Sequence, residues 1–260
     1  MKPNQSKPKP KISRCFLFSL LLSLFLLFLV SIQYHRQPET LLAFTSTITG
    51  SQKQNATNPD IRIRPGYASY DAYIQRQLNK TLNPKLRKIW TTRDWNRKIN
   101  VFSNFFSELR EKGFLSNSTK ALCVGARVGQ EVEALRRIGV SDSIGIDLVP
   151  YPPLVIRGDF HKQPFDDQVF DFEFSNVFDH ALYPDKFVGE IERTLKPGGV
   201  CVLHVALSTR SDKFSANDLY SIKGLISLFR SSELVHTRKV DGFGLDTEAV
   251  FRKKKLKQSS

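Results

Sequence analysis

The sequence predicts an α/β protein: a doubly wound, mostly parallel, seven-stranded sheet, preceded by a transmembrane helix and a helical lead-in. Three observations carry that expectation. After Lys120, short apolar strands alternate with helical stretches, a pattern that lays parallel strands under helices on both faces. Between Tyr67 and Gly113, apolar residues recur at three- and four-residue spacing, the period of amphipathic helices. From Cys15 to Tyr34, twenty residues carry no charge.

Composition narrows the classes. The chain has 260 residues, is 40% hydrophobic and holds 20 phenylalanines, which is enough for a core and excludes wholesale disorder. Three cysteines exclude a disulfide-rich secreted scaffold. The formal charge of +14 is concentrated at the ends. Lys2, Lys7, Lys9, Lys11 and Arg14 lie in residues 1–14, and Arg252, Lys253, Lys254, Lys255 and Lys257 in residues 252–257. Without those two acid-free runs the remainder is only +4, so a nucleic-acid partner loses its main support.

Residues 1–14 read as a basic cytosolic tail and 15–34 as an uncleaved signal anchor. Twenty helical residues reach roughly 30 Å, the thickness of a bilayer core. A cleaved signal peptide is the competing reading, but the run exceeds a usual h-region and no small-x-small site follows Val30. Five positive charges precede the run and only Arg36 follows closely, so the amino terminus stays cytosolic in a single-pass type II arrangement. The short, Phe-rich span suits Golgi or endoplasmic reticulum membranes, with the folded domain in the lumen. Acceptor sequons at Asn55, Asn79 and Asn117 agree with that placement.

Residues 35–66 read as a flexible stem, rich in Gln, Thr, Ser, Asn and Pro. Residues 67–119 form the helical lead-in. Tyr70, Tyr73, Ile74 and Leu78 share one helical face. After a break at Asn83-Pro84 come Leu86, Ile89 and Trp90, then a helix capped by Asp94 that carries Ile99, Phe102, Phe105, Phe106 and Leu109 to Gly113. These stripes are expected to be packed helix faces, with an acceptor cleft as the alternative. Residues 120–254 form the sheet domain and 255–260 a tail. Strands are expected at ALCVG, SIGIDL, LVIRGD, FDFEFS and VCVLHVAL, with ELVHTRKV and TEAVFRKK closing the sheet; helices are expected around EVEALRRIG, from Pro184 to Leu195, and over 216–230.

In a doubly wound sheet, ligands sit at the carboxyl ends of the strands. The first strand ends in Val124-Gly125-Ala126-Arg127-Val128-Gly129, just before a helix, where glycine permits a sharp turn and close backbone approach. The second strand ends at Asp147, 22 residues after Gly125, placed to accept from ribose hydroxyls. The glycines and this acid together point to an adenosine-containing ligand. The third glycine of the dinucleotide fingerprint is missing, which disfavours NAD.

Five ordered segments carry a specific resemblance: ALCVGARVGQE, GIDL, GDFHKQPF, FDFEFSNVFDH and EIERTLKPGGVCVLHV. Over roughly residues 120–206 the chain resembles the class I S-adenosylmethionine-dependent methyltransferases, type 11 subgroup, and looks most like plant membrane-anchored members. The resemblance implies a Rossmann-like methyltransferase fold with S-adenosyl-L-methionine as cofactor. It implies that Gly125, Ala126, Arg127 and Gly129 surround the methionine part, Asp147 the ribose and Leu148 the adenine. Asp159 and Phe160 would border the adenine, Ser175 and Asn176 would face the methyl group, and Pro197-Gly198-Gly199 would turn the chain. Two departures stand out. Cys123 occupies the family's acidic position, and Arg127 its middle glycine, where a guanidinium either meets the cofactor carboxylate or obstructs the pocket. In the family's strand order Cys123 and Cys201 lie about 9–10 Å apart, beyond disulfide reach.

Methyl transfer needs positioning, and a general base where the acceptor loses a proton. His180, Asp179 and His161 are the candidates, while His204 is expected in the core. No zinc-type ligand spacing is present. The expected function is O-methylation of a glycan or small hydroxylated acceptor, since cations steer acidic groups and aromatic rings stack on sugars. Two alternatives stand beside it: a non-catalytic scaffold of the same fold, and a type II Golgi glycosyltransferase, which lacks a convincing Asp-x-Asp site because Asp171-Phe172-Glu173 lies inside a strand.

Overall fold

A computed structural model of the chain describes residues 58–207 and 212–255. The expected anchor at 15–34, most of the stem and Asn55 lie outside the described residues. Among the described residues no helix is long and apolar enough to cross a membrane.

The first element, β1 (Ile61–Ile63), falls where the stem was expected. It pairs antiparallel with β7 (Asn217–Leu219), a strand inside the stretch expected to be helical. Only α6 (Ile222–Ile226) of that stretch is an α-helix. The pairing wins because it satisfies exposed backbone groups: Tyr220 N–H donates to Asp60 O (2.8 Å) and Arg64 N–H to Ala216 O (2.8 Å). Arg64 also holds the Asp218 carboxylate through Nε at 3.0 Å and Nη2 at 2.6 Å.

Three helices follow. In α1 (Tyr70–Thr81), the Ser69 hydroxyl caps the amino end by accepting from Ala72 N–H at 3.1 Å. In α2 (Pro84–Thr91), Asn83 Oδ1 accepts from Lys85 and Leu86 N–H, and Pro84 sits at the first turn, where no partner is lost. Asp94 makes no capping bond to α3 (Trp95–Glu111), contrary to expectation. Its backbone is already helical (φ −89°, ψ −11°), and its carboxylate accepts from Arg93 Nε (3.1 Å) and Arg97 Nη2 (3.4 Å) instead. Gly113, at φ +73°, takes the left-handed conformation just beyond the helix end.

The main sheet has seven strands in the order β4-β3-β2-β5-β6-β9-β8. These are β2 (Ala121–Val124), β3 (Ser143–Asp147), β4 (Val155–Arg157), β5 (Phe170–Ser175), β6 (Leu195–Val205), β8 (Ser232–Gly242) and β9 (Leu245–Lys253). The first five are parallel, and β9 and β8 add an antiparallel ribbon at one edge. The pairing of β5 with β6 is irregular between Phe170 and Phe172, opposite Pro197-Gly198-Gly199, where Gly198 has φ +84°.

The period-two alternation of the strands assigns the two faces. Ala121, Cys123, Phe172, Phe174, Val200 and Val202 pack under α3 and α4 (Gln130–Arg137), against Phe102, Phe106, Val132 and Leu135. Leu122, Val124, Cys201, Leu203 and Val205 pack on the other face against Phe187, Val188 and Ile191 of α5 (Pro184–Thr194). Phe106 is fully buried, edge-on to both Phe172 and Phe174. Burying such a ring contributes about 2–3 kcal/mol. Cys123 and Cys201 are buried free thiols. His204 sits in the core as expected, with Nε2 2.9 Å from the buried Glu248 carboxylate, which Arg238 also holds.

Candidate functional site

A cavity of about 210 Å³ opens along the carboxyl edge of the parallel strands, where a doubly wound sheet places its ligands. The strand order fixes its layout. Asp147 and Asp159 lie at the β3–β4 end, Gly125 and Arg127 beyond β2, Asn176 to His180 beyond β5, and the β8–β9 turn at the far end.

At the first end, Asp147 closes β3. Its Oδ2 accepts from Arg127 N–H (3.0 Å) and its Oδ1 from Val149 N–H (3.3 Å). Burial pushes this carboxyl up from its ordinary value, against the two backbone donors. Leu148, Asp159 and Phe160 line the same end. Asp159 takes His161 N–H on Oδ1 (2.9 Å) and the Tyr70 hydroxyl on Oδ2. Burial opposes its charge, but those hydrogen bonds win and hold its carboxyl below the usual range.

Beyond β2 the turn is tight. Gly125 has φ +75°, and a Cβ there would sit 2.3 Å from Val177 Cγ2. Gly129 (φ +86°) is also indispensable, but for packing: its Cβ would meet Leu154 Cβ at 2.6 Å. It does not border the cavity, nor does Ala126, which is buried in the core; both were expected at the ligand. Arg127 does border it, in the left-handed conformation at φ +52° that a glycine would adopt freely. Its guanidinium carbon lies 5.6 Å from the Trp90 ring centroid and its Nη2 3.7 Å from Glu131 Oε1, while its buried Nε has no partner. Asn176 lines the cavity and donates to Glu131 Oε1 at 3.1 Å. Ser175, expected beside it, faces away: its hydroxyl donates to Val124 O (3.0 Å) and accepts from Val177 N–H (3.3 Å), which stitches β5 to β2.

The far end is built by a 3₁₀ turn, Phe178–His180, and by α1 lying across it. Tyr73 donates its hydroxyl to His180 O (2.9 Å), Gln77 Nε2 donates to Phe214 O (2.8 Å), and Lys80 Nζ lies 3.0 Å from His180 Nε2 and 3.3 Å from Asp212 Oδ2. His180 Nδ1 is 3.2 Å from Phe214 O, an acceptor, so Nδ1 carries the proton and Nε2 receives from Lys80. Burial lowers the imidazole pKa of His180, partly offset by Asp179. The Asp179 carboxylate accepts from the Ser215 hydroxyl.

His161, the third expected base, does not border the cavity. It is buried beside Tyr70, Tyr73, Phe160 and Tyr183. Its Nε2 accepts from Tyr183 N–H (3.2 Å), so Nδ1 holds the proton facing the Tyr70 hydroxyl at 2.9 Å. Both nitrogens are thus committed, Nδ1 to Tyr70 of α1 and Nε2 to the backbone just before α5.

Sequence reasoning missed Lys80, Trp90 as a cavity wall, Lys98, Asp212 and Phe243, all of which line the site. One signal was present: Lys98 follows Trp95 by three and precedes Phe102 by four, so its charge lies on a buried stripe. Burial, then Arg127, pushes its ammonium down to about 7.

Residues 122–203 match the family described as Methyltransferase domain, type 11. Among solved structures, the chain is similar to a 1,6-didemethyltoxoflavin-N1-methyltransferase of Burkholderia thailandensis (16% identity, 75% of this chain and 95% of that one, TM-score 0.54). It is also similar to a candidate sarcosine dimethylglycine methyltransferase of Galdieria sulphuraria (20% identity, 61% and 87%, TM-score 0.49). No curated protein matches the chain. Residues 122–203 thus match a methyltransferase domain, set within a seven-stranded, mostly parallel sheet of the Rossmann-like methyltransferase fold.

Proposed function

We propose that the chain is an active O-methyltransferase whose acceptor is a glycan or a small hydroxylated molecule. Residues 15–34 hold it on a Golgi or endoplasmic reticulum membrane with its domain in the lumen. The observation that carries this reading is one continuous cavity with carboxylates at one end, the Gly125 turn in the middle, and His180, Asp179 and Lys80 at the other.

The residues fit S-adenosylmethionine on two counts. Gly125 leaves no room for a side chain, so the turn brings backbone close to the cavity. The buried Arg127 Nε lacks a partner, and its guanidinium is a natural donor to a carboxylate. Bound there, the cofactor supplies an electrophilic methyl group on a sulfonium. Asp147 would hold the ribose hydroxyls, while Leu148 and Phe160 would flank the adenine and Asp159 accept from its amine. Arg127 and Lys98 would face the amino-acid end, with Trp90 beneath the guanidinium. His180 and Asp179 lie across the cavity from Asp147, where the acceptor would enter, and Tyr73 and Gln77 fix that wall by bonding to backbone carbonyls.

Calorimetry with S-adenosylhomocysteine on the full chain in detergent tests the cofactor; no binding to folded protein removes the proposal. Transfer of labelled methyl from S-adenosylmethionine to a microsomal glycan fraction tests the acceptor. Protease treatment of sealed vesicles, with glycosylation mapped at Asn55, Asn79 and Asn117, tests the lumenal placement. Digestion in intact vesicles with all three sites bare would move the domain to the cytosol.

A scaffold without turnover is the second reading, and Arg127 in the glycine position favours it. Cofactor binding without methyl transfer to any fraction would establish it. The glycosyltransferase reading loses ground: Asp171 is paired with Lys196 at 2.8 Å, Glu173 is wholly buried, and among the described residues no group of acids, histidines or cysteines is placed to hold a metal.

A further inference from the structure

We infer that Lys80 is the group that takes the acceptor's proton, and that His180 is the positioning residue behind it. The inference deepens the methyltransferase reading and rests on it. Its basis is the hydrogen-bond order at the far end of the cavity. His180 has no free lone pair: Nδ1–H donates to Phe214 O, and Nε2 is covered by Lys80 Nζ at 3.0 Å. An acceptor hydroxyl entering the cavity therefore meets Lys80 before it can reach the imidazole. Lys80 lines the cavity itself.

The surroundings set its protonation. From the turn after β5, Lys80 faces His180 and Asp179; from the segment before β7 it faces Asp212 and the Phe214 ring, 5.2 Å away; from the turn after β2 it faces Arg127. Burial first and Arg127 next lower the ammonium from its ordinary value, against Asp212 and Asp179, which raise it. A lysine so placed favours the neutral amine more than an exposed lysine does, which suits it to receive a proton.

The step balances. The acceptor oxygen bonds to the methyl carbon as the carbon–sulfur bond breaks, its electron pair staying on sulfur. The hydroxyl proton passes to Lys80 Nζ, and the resulting ammonium is held between His180 Nε2 and Asp212 Oδ2.

The test uses the full chain in detergent, with S-adenosylhomocysteine as the probe. Long-range proton–nitrogen spectra of labelled histidine should show His180 protonated on Nδ1 and bare on Nε2, and the Lys80 side chain should titrate below the usual value of about 10.4. Lys80→Arg keeps the charge but cannot accept a proton. It should bind S-adenosylhomocysteine as the wild type does, which also shows that it folds, yet lose roughly 10²–10⁴-fold in transfer to the glycan fraction. The wild-type rate should rise with pH through the Lys80 titration, and His180→Asn should shift that limb. Protonated Nε2, a Lys80 titrating in the ordinary range, or undiminished transfer by Lys80→Arg would each overturn the inference while cofactor binding stands. Failure of the wild type to bind S-adenosylhomocysteine would instead defeat the reading beneath it.

Discussion

Replacing Glu173 with Gln should abolish most of the pH dependence of folding between pH 4.5 and about 8. Glu173 lies on β5 and is wholly buried; Oε1 accepts the Thr194 hydroxyl at 2.6 Å, and Oε2 has no partner. Burial pushes its pKa from 4.5 to about 8, with Glu190 adding to the rise and Thr194, Gln163 and Arg193 opposing it. Between those values the native state holds a proton that the unfolded chain has released. The associated stability is therefore complete below pH 4.5 and is lost as the pH rises to about 8. At about 1.4 kcal/mol per pH unit the loss reaches up to about 5 kcal/mol, comparable with the whole stability of a small domain. Surface pairs such as Arg193–Asp167, worth about 0–1 kcal/mol each, cannot mask it. Glutamine is neutral throughout, and its carbonyl can keep the Thr194 bond. Denaturant unfolding of both proteins from pH 4.5 to 8.5 should show the wild type losing stability and the variant nearly level, so that the variant is the more stable at pH 8. Parallel curves would refute the assignment of that titration to Glu173.

Three further substitutions test the cavity. Asp147→Ala should weaken S-adenosylhomocysteine binding by about 1–3 kcal/mol, roughly five- to 150-fold by calorimetry, because a buried acceptor for the ribose is removed. Gly125→Ala places a Cβ 2.3 Å from Val177 Cγ2 at φ +75°, so thermal melts should show a loss of about 1–3 kcal/mol together with weakened binding. Arg127→Gly relieves a left-handed arginine, worth about 1–2 kcal/mol, and should raise the melting temperature. If the guanidinium meets the cofactor's amino-acid end, the same change should weaken S-adenosylhomocysteine while leaving 5′-methylthioadenosine, which lacks that end, unaffected. Equal effects on both ligands would exclude that contact.

What the sequence disclosed follows the reach of each signal. The strands at 121–124, 143–147, 155–157 and 170–175 were legible because each is a short run next to a turn residue, apolar and largely buried in all but the edge strand 155–157. Asp147, Asp159 and Asn176 were legible because they end those strands. The β1–β7 pair was not, because three residues on each side carry no period and their pairing spans more than 150 positions. Ser175 and His161 illustrate a second limit. Position along a strand end is visible in a sequence, but the direction of a side chain depends on which partner captures it. Here the captors are Val124 O for Ser175, and Tyr183 N–H with the Tyr70 hydroxyl for His161.

The same division explains why the acceptor is hard to name from similarity. The family-matched segment, 122–203, supplies Gly125, Asp147, Asp159, Asn176 and His180, which form the proposed cofactor half and the first turn of the acceptor half. Much of what closes the proposed acceptor half comes from outside it: Tyr73, Gln77 and Lys80 on α1, Asp212, and Phe243 at the β8–β9 turn, while Trp90 on α2 and Lys98 on α3 close the cofactor's amino-acid end. Helix α1 is fastened to the carboxyl edge by side chains spaced along one face, with Tyr70 on Asp159, Tyr73 on His180 O, Gln77 on Phe214 O and Lys80 on His180 and Asp212. Its buried positions are therefore Tyr73, Gln77 and Thr81, polar residues, where a purely packing helix would bury a stripe like that of α3. A helix that spends its buried face on hydrogen bonds to strand ends is specified by what those ends must hold. On the proposed reading, acceptor preference is set by α1, and exchanging residues 73–81 for those of another methyltransferase of this fold should transfer that preference while leaving S-adenosylhomocysteine affinity in place.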